Sequence, residues 1–262
     1  MPDTLSFPKL HSDDQISAAE WRVRVDLAAF YRLAAVYGWD DLLATHISAR
    51  VPGPDHHFLI NPYGLRFAEI TASSLVKIDL DGVILSPSDY GINYAGFVIH
   101  SAIHGAREDA HWIVHFHTDD GVAVSSQADG LLPLNQRSLG VLPRLSYHDY
   151  EGIALKLDER ARLVKDLGPE SSLMLLRNHG TLALGPTPGA AWLGIYQLER
   201  ACAAQIKALS AGRGGVLIAP QAAQREVAAR ILDNGEGRTR HADLVWKALL
   251  RQAVVECPGY DE

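Results

Sequence analysis

The chain has 262 residues, of which 47% are hydrophobic and 21% are charged, and its formal net charge is −7. This length and composition are typical of one large or two small globular domains, and they exclude disordered, collagen-like and fibrous classes. The negative charge disfavours binding to nucleic acid or to anionic lipid, because both repel an acidic surface. Two cysteines against 12 histidines exclude a disulfide framework, so a cytoplasmic location is expected.

Neither a secretion signal nor a membrane span is indicated by the sequence. Residues 1–14 contain prolines and acids where a signal peptide requires basic and then apolar residues, and we interpret them as a flexible leader. No stretch of about 20 apolar residues occurs, so no membrane span is expected. The patterns of residues 15–210 predict one α/β domain, and residues 211–262 are interpreted as a linker and a helical extension.

The first half of the chain begins with a helix and continues with short strands. Ser17 has the position of an N-cap and Gly38 that of a left-handed C-cap, and apolar residues recur between them at helical spacing. From residue 42 to 87 strand-like segments alternate with turns, among them the hairpin pair Asp81-Gly82. Helical periodicity returns over residues 93–108. The strand-like segments are LLATHISARV, HFLINPYG, SLVKIDL and GVILS.

The second half alternates buried strands with helices. HWIVHFHT over residues 111–118 and SSLMLLRNHG over 171–180 have the apolar composition of buried strands, and TLALG is the expected hairpin partner of the second. LGVLPRLSY, residues 139–147, is a further strand candidate. This order predicts a mixed sheet with helices around it. The expected helices are one that Gly168 closes, one from Thr187-Pro188 to about Leu209, and two over residues 220–233 and 240–255.

Two histidines at the end of the first buried strand are candidate metal ligands. His115 and His117 are two residues apart, so their imidazoles lie on one face of the strand while Phe116 points to the other. Two parallel imidazoles form half of a tetrahedral zinc site or one edge of an iron or manganese site. Alternatively, each ring is bonded only to backbone or to water.

His179 supports the metal interpretation. It follows a second buried strand and precedes Gly180, a residue that allows the chain to turn away and leave the imidazole in the open. Sites in α/β proteins assemble where strands end and loops begin. Three protein ligands with one or two positions left for water or substrate are the pattern of a catalytic metal site, not of a closed structural one.

The other histidines are weaker candidates for metal ligands. His100 and His104 lie one turn apart on the predicted helix, but no H-E-x-x-H motif accompanies them. We interpret these two as partly buried residues that pack on the sheet. His46 and His148 lie within or beside predicted strands.

Several motifs, in their order along the chain, resemble those of the class II aldolase/adducin family over about residues 16–210. The segments THISARVPG, ITASSLVKIDLDG and SYHDYEG are most similar to the adducin-head branch. The resemblance implies a three-layer α/β/α fold around a mixed or antiparallel sheet, often in a homotetramer, and one divalent metal ion bound by His115, His117 and His179. Zinc is the expected ion, with Fe(II) or manganese as alternatives. The motifs are GWDDLLATHISARVPG, HHFLINPYGL, EITASSLVKIDLDG, AGFVIHSAIHGARED, VHFHT, GLLPL, YHDYEGIAL and LRNHG.

The sequence departs from the sugar-phosphate aldolases of that family at their other catalytic positions. Their acid/base glutamate corresponds to Gly96, and the serine pair that holds substrate phosphate corresponds to Tyr94-Ala95. Their phosphate-turn Gly-Asn becomes Thr45-His46 with Ser48 retained, and a catalytic tyrosine falls near Gln136. A general base contributes about 10²–10⁴ in rate. The missing glutamate and the missing phosphate-binding serines make a phosphorylated sugar an unfavourable substrate.

Three functions are compatible with the sequence. The first is a metal-dependent lyase or decarboxylase acting on a small non-phosphorylated oxo- or hydroxy-acid, with the metal stabilising an enolate-like intermediate. The second is a non-haem Fe(II) oxygenase that performs oxidative decarboxylation on the same fold. The third is a non-catalytic oligomerisation module like the adducin head. The intact histidine triad argues against the third as the whole function, and the first is the expected one.

Candidates for the remaining chemistry come from nearby strands and loops. His46 is the candidate to replace the missing base or to bind a carboxylate, and Tyr147 or His148 could donate a proton. Arg177, two residues before His179, is a candidate for binding a substrate carboxylate. The predicted substrate-binding set is Ser48, Tyr94, Gln136 and Arg177.

Overall fold

A seven-stranded sheet runs through the computed structural model, which describes residues 16–153, 156–233 and 235–262. The interpretation of residues 1–14 as a leader lies outside the described residues. The strands are β1 (His46–Arg50), β2 (Phe58–Ile60), β3 (Val76–Ile78), β4 (Trp112–Phe116), β5 (Leu145–His148), β6 (Leu173–Leu176) and β7 (Gly180–Gly185). Their order across the sheet is β3-β2-β1-β4-β7-β6-β5, and every neighbouring pair is antiparallel except β5 and β6.

Most helices begin at a side chain that satisfies a free backbone amide. The Ser17 hydroxyl accepts a hydrogen bond from the Glu20 amide at 3.1 Å, and Asn93 and Thr187 do the same for later helices. Gly38 (φ +69°) follows the end of the first helix in the left-handed region, as predicted, and Gly168 closes a later helix with a positive φ of +64°. The helices are α1 (Ala18–Val36), α2 (Tyr94–Ala106), α3 (Asp119–Ser125), α4 (Gln136–Val141), α5 (Glu159–Leu167), α6 (Pro188–Leu209), α7 (Gln221–Asp233) and α8 (Gly235–Glu256).

The two faces of the sheet are covered by different helices. Val114 and Phe116 of β4 pack into an apolar cluster with α1, α6 and α8, whereas Ile113 belongs to a second cluster with α2 and α5. This alternation follows from the two-residue repeat of a strand. The predicted three-layer α/β/α fold is therefore confirmed.

Two predicted strands are wrong in whole or in part. GVILS contributes only an isolated bridge between Ile78 and Ile84, beyond the Asp81-Gly82 turn. Residues 139–144 are helical, because α4 is capped by the Asn135 side chain and a 3-10 helix, Leu142–Arg144, follows it. Pro143 cannot donate to a sheet, so the strand begins only at Leu145.

The C-terminal helix α8 is part of the main apolar core. Trp246, Leu249 and Ala253 are buried in the cluster that covers one face of the sheet. The indole Nε1 of Trp246 donates to the Asp26 carboxylate at 3.0 Å, which ties α8 to α1. No helix of the described chain combines the length and the apolar character that crossing a bilayer requires.

Candidate metal centre and its surroundings

Three imidazoles converge at the ends of neighbouring strands in the middle of the sheet. His115 is in β4, His117 follows that strand, and His179 lies in the short loop that joins β6 to β7. The Nε2 atom of His115 is 2.8 Å from Nε2 of His117 and 3.3 Å from Nε2 of His179. Because β4 and β7 are antiparallel neighbours, the end of one lies beside the start of the other. The structure therefore brings together the three residues predicted as metal ligands.

The hydrogen bonds on the far side of two rings fix which nitrogen faces the centre. Nδ1 of His115 donates to the Thr181 carbonyl at 2.9 Å, and Nδ1 of His117 is 3.1 Å from an Asp41 carboxylate oxygen. A carbonyl and a carboxylate only accept, so both Nδ1 atoms carry the proton. In the neutral rings the facing Nε2 atoms then present lone pairs to each other, an arrangement that a bound cation satisfies.

The electrostatic environment keeps the imidazoles of His115 and His179 neutral. Burial, then the neighbouring rings of His179 and His117, hold the pKa of His115 well below its usual value. Burial and the His117 ring lower the pKa of His179 to about 4. Metal ions bind the deprotonated imidazole, so at neutral pH these two residues can bind a divalent metal without loss of a proton.

Position 180 requires a glycine because the backbone there lies very close to β4. A Cβ atom at this position would lie 2.3 Å from the Phe116 carbonyl oxygen and 3.3 Å from the His115 ring. The residue in the left-handed region is Asn178 (φ +56°), so the turn predicted at Gly180 occurs two residues earlier. Gly180 instead provides the space in which the hairpin lies against the ligand strand.

A buried chain of hydrogen bonds lies beside the triad, under α2. His46 faces the same side of the sheet as His115, with ring centroids 5.0 Å apart. Its Nδ1 is 2.8 Å from Nε2 of His100, and the Ser48 hydroxyl bonds both Nδ1 of His100 and Nε2 of His104. Nδ1 of His104 is 2.8 Å from the Ala110 carbonyl. His100 and His104, expected to be partly buried, are completely buried.

The Ala110 carbonyl sets the proton positions along this chain. Since the carbonyl only accepts, Nδ1 of His104 donates to it, and the Ser48 hydroxyl must donate to Nε2 of His104. The Ser48 oxygen then accepts from His100, whose Nε2 accepts from Nδ1 of His46. Burial, the largest cause, lowers the pKa of all three rings, to about 3 for His104. With the chain neutral, Nε2 of His46 is left with a free lone pair.

His46 fills the space in which a side chain at position 96 would lie. A Cβ atom on Gly96 would be 2.6 Å from Cδ2 and 3.0 Å from Nε2 of the His46 imidazole. Position 96 corresponds to the acid/base glutamate of the sugar-phosphate aldolases. A glutamate there and the His46 ring therefore exclude each other. Ser48, predicted to bind substrate, instead lies completely buried between His100 and His104.

Arg177 and Tyr147 pack against each other beside the triad. The guanidinium of Arg177 lies 4.4 Å from the centre of the Tyr147 ring and donates to the Gln127 carbonyl at 2.7 Å. The Tyr147 hydroxyl accepts from the Leu131 amide at 3.1 Å, and burial raises its pKa. Arg177 lines a small cavity that also contains His179. No carboxylate of the described residues lies within 4.0 Å of this guanidinium.

The remaining candidates lie at different distances from the triad. His148 lines the same cavity as His179, and its Nδ1 is 2.7 Å from an Asp166 oxygen. Tyr94 begins α2 as an exposed residue whose ring is tilted against that of Phe97. Gln136 begins α4 and lines a separate open cavity. The roles of these three residues stay predictions.

Two acids near the triad were not predicted from the sequence. Asp41 contacts His117, and Glu199 of α6 accepts hydrogen bonds from the hydroxyls of Thr118 and Thr181. Burial raises the pKa of Glu199 to about 7. A carboxylate next to a metal-binding imidazole is a general expectation. No spacing in the sequence singles out these two among the 31 acidic residues.

The chain is a three-layer α/β/α protein with a candidate metal site, where three imidazoles converge at the strand ends. A family model described as the Class II Aldolase and Adducin N-terminal domain matches residues 25–206. A protein of Caulobacter vibrioides named for class 2 aldolases is 58% identical over 255 residues, covering 97% of this chain and 98% of that protein. The chain belongs to the class II aldolase/adducin family, as its motifs predicted.

Solved structures and a eukaryotic relative extend this similarity. An aldolase II superfamily protein from Pseudomonas syringae matches with a TM-score of 0.87 and 52% identity, over 96% of this chain and 99% of that one. L-fuculose 1-phosphate aldolase from Glaciozyma antarctica PI12 matches with a TM-score of 0.78 and 26% identity, over 94% and 96%. Alpha-adducin of Rattus norvegicus is 44% identical over 78% of this chain but only 28% of its own length.

Proposed function

We propose that this protein is a cytoplasmic, metal-dependent carbon–carbon lyase of aldolase or decarboxylase type, active as a homo-oligomer. Its substrate is a small non-phosphorylated oxo- or hydroxy-acid. The observation that carries the proposal is the convergence of three imidazoles beside a fourth, His46, whose Nε2 atom has a free lone pair. Membership of a family that includes aldolases supports a lyase-type enzyme.

His115, His117 and His179 would hold one divalent metal ion, with zinc the first expectation. Bound there, the metal supplies a Lewis acid that polarises a substrate carbonyl and accommodates the negative charge left when a carbon–carbon bond breaks. Asp41 and the Thr181 carbonyl keep Nε2 of two imidazoles directed at that position. Glu199 holds the backbone around both through the Thr118 and Thr181 hydroxyls.

His46 is the proposed acid/base residue. Its Nε2 has no hydrogen-bond partner among the described residues, while its Nδ1 is directed at His100. The chain through Ser48 to the Ala110 carbonyl holds the imidazole in one tautomer, so that Nε2 takes a proton from substrate and can return it. In this role His46 replaces the acid/base glutamate of the related aldolases, whose position is occupied by Gly96 in this chain.

The surroundings favour an acid over a sugar phosphate. The Ser48 hydroxyl is already engaged with His100 and His104, so it is not free to bind a phosphate. Arg177 lines the cavity that contains His179 and has no carboxylate partner in the described part of the chain. A guanidinium in that place suits a substrate carboxylate.

The test combines metal content with a cleavage assay. Protein purified without added metal is analysed for bound elements, and carbon–carbon cleavage is measured on matched small oxo- and hydroxy-acids and their phosphorylated counterparts. We expect one zinc per chain, cleavage of non-phosphorylated acids, and loss of both metal and activity in His179→Ala. His46→Asn should keep the metal and lose about 10²–10⁴ in rate, the contribution of a general base.

Each other outcome selects a different function. Bound iron with oxygen consumption during turnover would replace the lyase by an Fe(II) oxygenase. A chain that binds no metal, or whose metal binding and every measurable activity are unchanged in His115→Ala, would support a non-catalytic module like the adducin head. Full activity in His46→Asn would remove His46 from the chemistry while leaving the lyase in place.

A further inference from the structure

A further cavity lies at the opposite end of the sheet from the histidine triad. Its volume is about 470 Å³, and it is bordered by the end of β7, the start of α6 and the first turns of α8. Gly180 is at the triad end of β7 and Gly185 lines this cavity. Five residues of extended strand span about 16 Å, so the two sites are separate.

Two arginines face this cavity without an acidic partner. Arg144, at the end of the 3-10 helix before β5, donates from Nη1 to the Ser172 hydroxyl at 3.1 Å, and its Nε is buried with no hydrogen-bond partner. Arg238 of α8 donates to the Ile231 carbonyl at 2.8 Å. Throughout residues 16–153, 156–233 and 235–262, no carboxylate oxygen is within 4.0 Å of either guanidinium.

The two guanidinium groups repel each other. Burial, followed by the charge of Arg238, lowers the pKa of Arg144 to about 10. Within the described residues, three other enclosed arginines, Arg24, Arg50 and Arg107, each form an ion pair with a carboxylate, which Arg144 and Arg238 do not. Two unneutralised guanidinium groups at one cavity destabilise the empty form, and a bound anion would remove that cost.

The acids at the cavity do not provide this neutralisation. Asp109 is held by Arg107 through two hydrogen bonds of 2.7 and 2.8 Å. Glu170 is exposed to solvent and is not paired with either arginine. The local excess of positive charge contrasts with the net charge of −7 of the whole chain.

The rest of the lining matches an organic ligand better than a simple ion. Leu184, Ala190 and Leu193 form an apolar part of the wall, and Thr239 and Gln197 add a hydroxyl and an amide. A volume of 470 Å³ lies in the usual range for small-molecule sites, about 300–1,000 Å³, and is far larger than a phosphate ion requires.

We propose that this cavity is a second ligand site, which binds a small organic oxyanion between the guanidinium groups of Arg144 and Arg238. The planar fork of each guanidinium fits a phosphate or a carboxylate, and the apolar wall takes the carbon skeleton. The site does not depend on the metal or on the proposed lyase chemistry.

The test measures binding by calorimetry at constant ionic strength, with pyrophosphate as the phosphate probe and citrate as the carboxylate probe. We expect one of them to bind the full chain with one site per protomer. Arg238→Gln and Arg144→Gln should each weaken that binding at least about tenfold, the effect of losing a charge-assisted hydrogen bond. Arg240→Gln, an exposed arginine on the same helix outside this cavity, is the matched control and should bind as the wild type does.

His179→Ala separates this site from the triad. Both probes chelate metals, so binding that disappears in His179→Ala would belong to the metal centre and would overturn the proposal. Binding that persists there and is lost in Arg238→Gln supports it. The absence of binding for both probes, or an equal loss in Arg238→Gln and Arg240→Gln, would also overturn it. The probe that binds identifies phosphate or carboxylate as the preferred group.

Discussion

Gly180 determines how closely the β6–β7 hairpin can approach the strand that carries His115. A methyl group there would overlap the Phe116 carbonyl oxygen, 2.3 Å from the expected Cβ position. Backbone cannot move away as a flexible side chain can, so the hairpin itself must shift. His179, on the same hairpin, would then move relative to His115 and His117.

Gly180→Ala is therefore expected to weaken metal binding while the protein stays folded. We predict a loss of about 10–100-fold in zinc affinity, as for other changes to the support of a metal ligand. The measurement is competition with a chromogenic chelator, alongside circular dichroism. Gly91→Ala is the control, because nothing lies within 4 Å of its Cβ position. Equal zinc affinity in the two variants would contradict the assigned role of Gly180.

At the scale of single residues, the sequence identifies the candidate metal ligands better than the residues that hold them in place. His115 and His117 follow from strand periodicity, and His179 follows from its place after a buried strand. The contact of Asp41 with His117 joins residues 76 positions apart. Such a contact depends on the tertiary fold, so local patterns do not show it. The hydrogen-bonded chain under α2 was missed for the same reason, although helical spacing already placed His100 and His104 on one face.

The packing of α6 against α8 is a feature of whole elements. Gly189 in the first turn of α6 lies against the backbone of α8, where an added Cβ would be 2.4 Å from the Ala242 carbonyl oxygen. Trp246, one turn further along α8, is buried in the main core. The C-terminal helix therefore depends on a small residue at the start of α6.

Gly189→Ala should separate these two helices. We predict that the free energy of unfolding falls by about 1–3 kcal/mol, the usual cost of overpacking. Gly140→Ala is the matched control: this glycine also lies in a helix, but its Cβ position is open. There alanine should stabilise by about 0.5–1 kcal/mol through helix propensity. Urea denaturation of both variants measures the difference, and an unchanged Gly189→Ala midpoint would refute the packing argument.

At the scale of elements, capped helices were predicted more accurately than strands. Ser17 and Thr187, both predicted to begin helices, each bond the amide three residues later, and such signals are local in sequence. Residues 139–144 contain apolar residues in a short run that suits a strand or a buried helix equally. The Asn135 cap decided in favour of the helix. Similarly, the pairing of β5 with β6 in parallel depends on long-range topology.

For the whole molecule, the buried neutral imidazoles make stability depend on pH. The pKa of His104 falls from 6.5 to about 3 on folding, and those of His46, His100 and His115 also fall well below 6.5. Between these values the unfolded chain binds more protons than the folded chain. Stability is therefore complete above about pH 6.5 and is lost as the pH falls toward the folded pKa.

We predict a slope of up to about 1.4 kcal/mol per pH unit for each such histidine below pH 6.5. The free energy of unfolding is measured by urea denaturation from pH 7.5 to 4.5 in the presence of a chelator, so that metal release does not contribute. His104→Asn should reduce the slope relative to the wild type. His241→Asn, at an exposed position, should leave it unchanged. Identical slopes in all three proteins would be incompatible with a buried neutral His104.

The mutual exclusion of His46 and a side chain at position 96 also limits how such a site can change over generations. Glutamate introduced at position 96 alone would collide with the imidazole, whose Cδ2 lies 2.6 Å from the Cβ position. A smaller residue introduced at position 46 alone would leave a void and an unpaired His100 nitrogen. The arrangement with His46 and Gly96 differs from one with a glutamate at position 96 at both positions, so changing either position first gives an impaired protein. The two positions are therefore epistatic, and the order of substitutions matters as much as their identity.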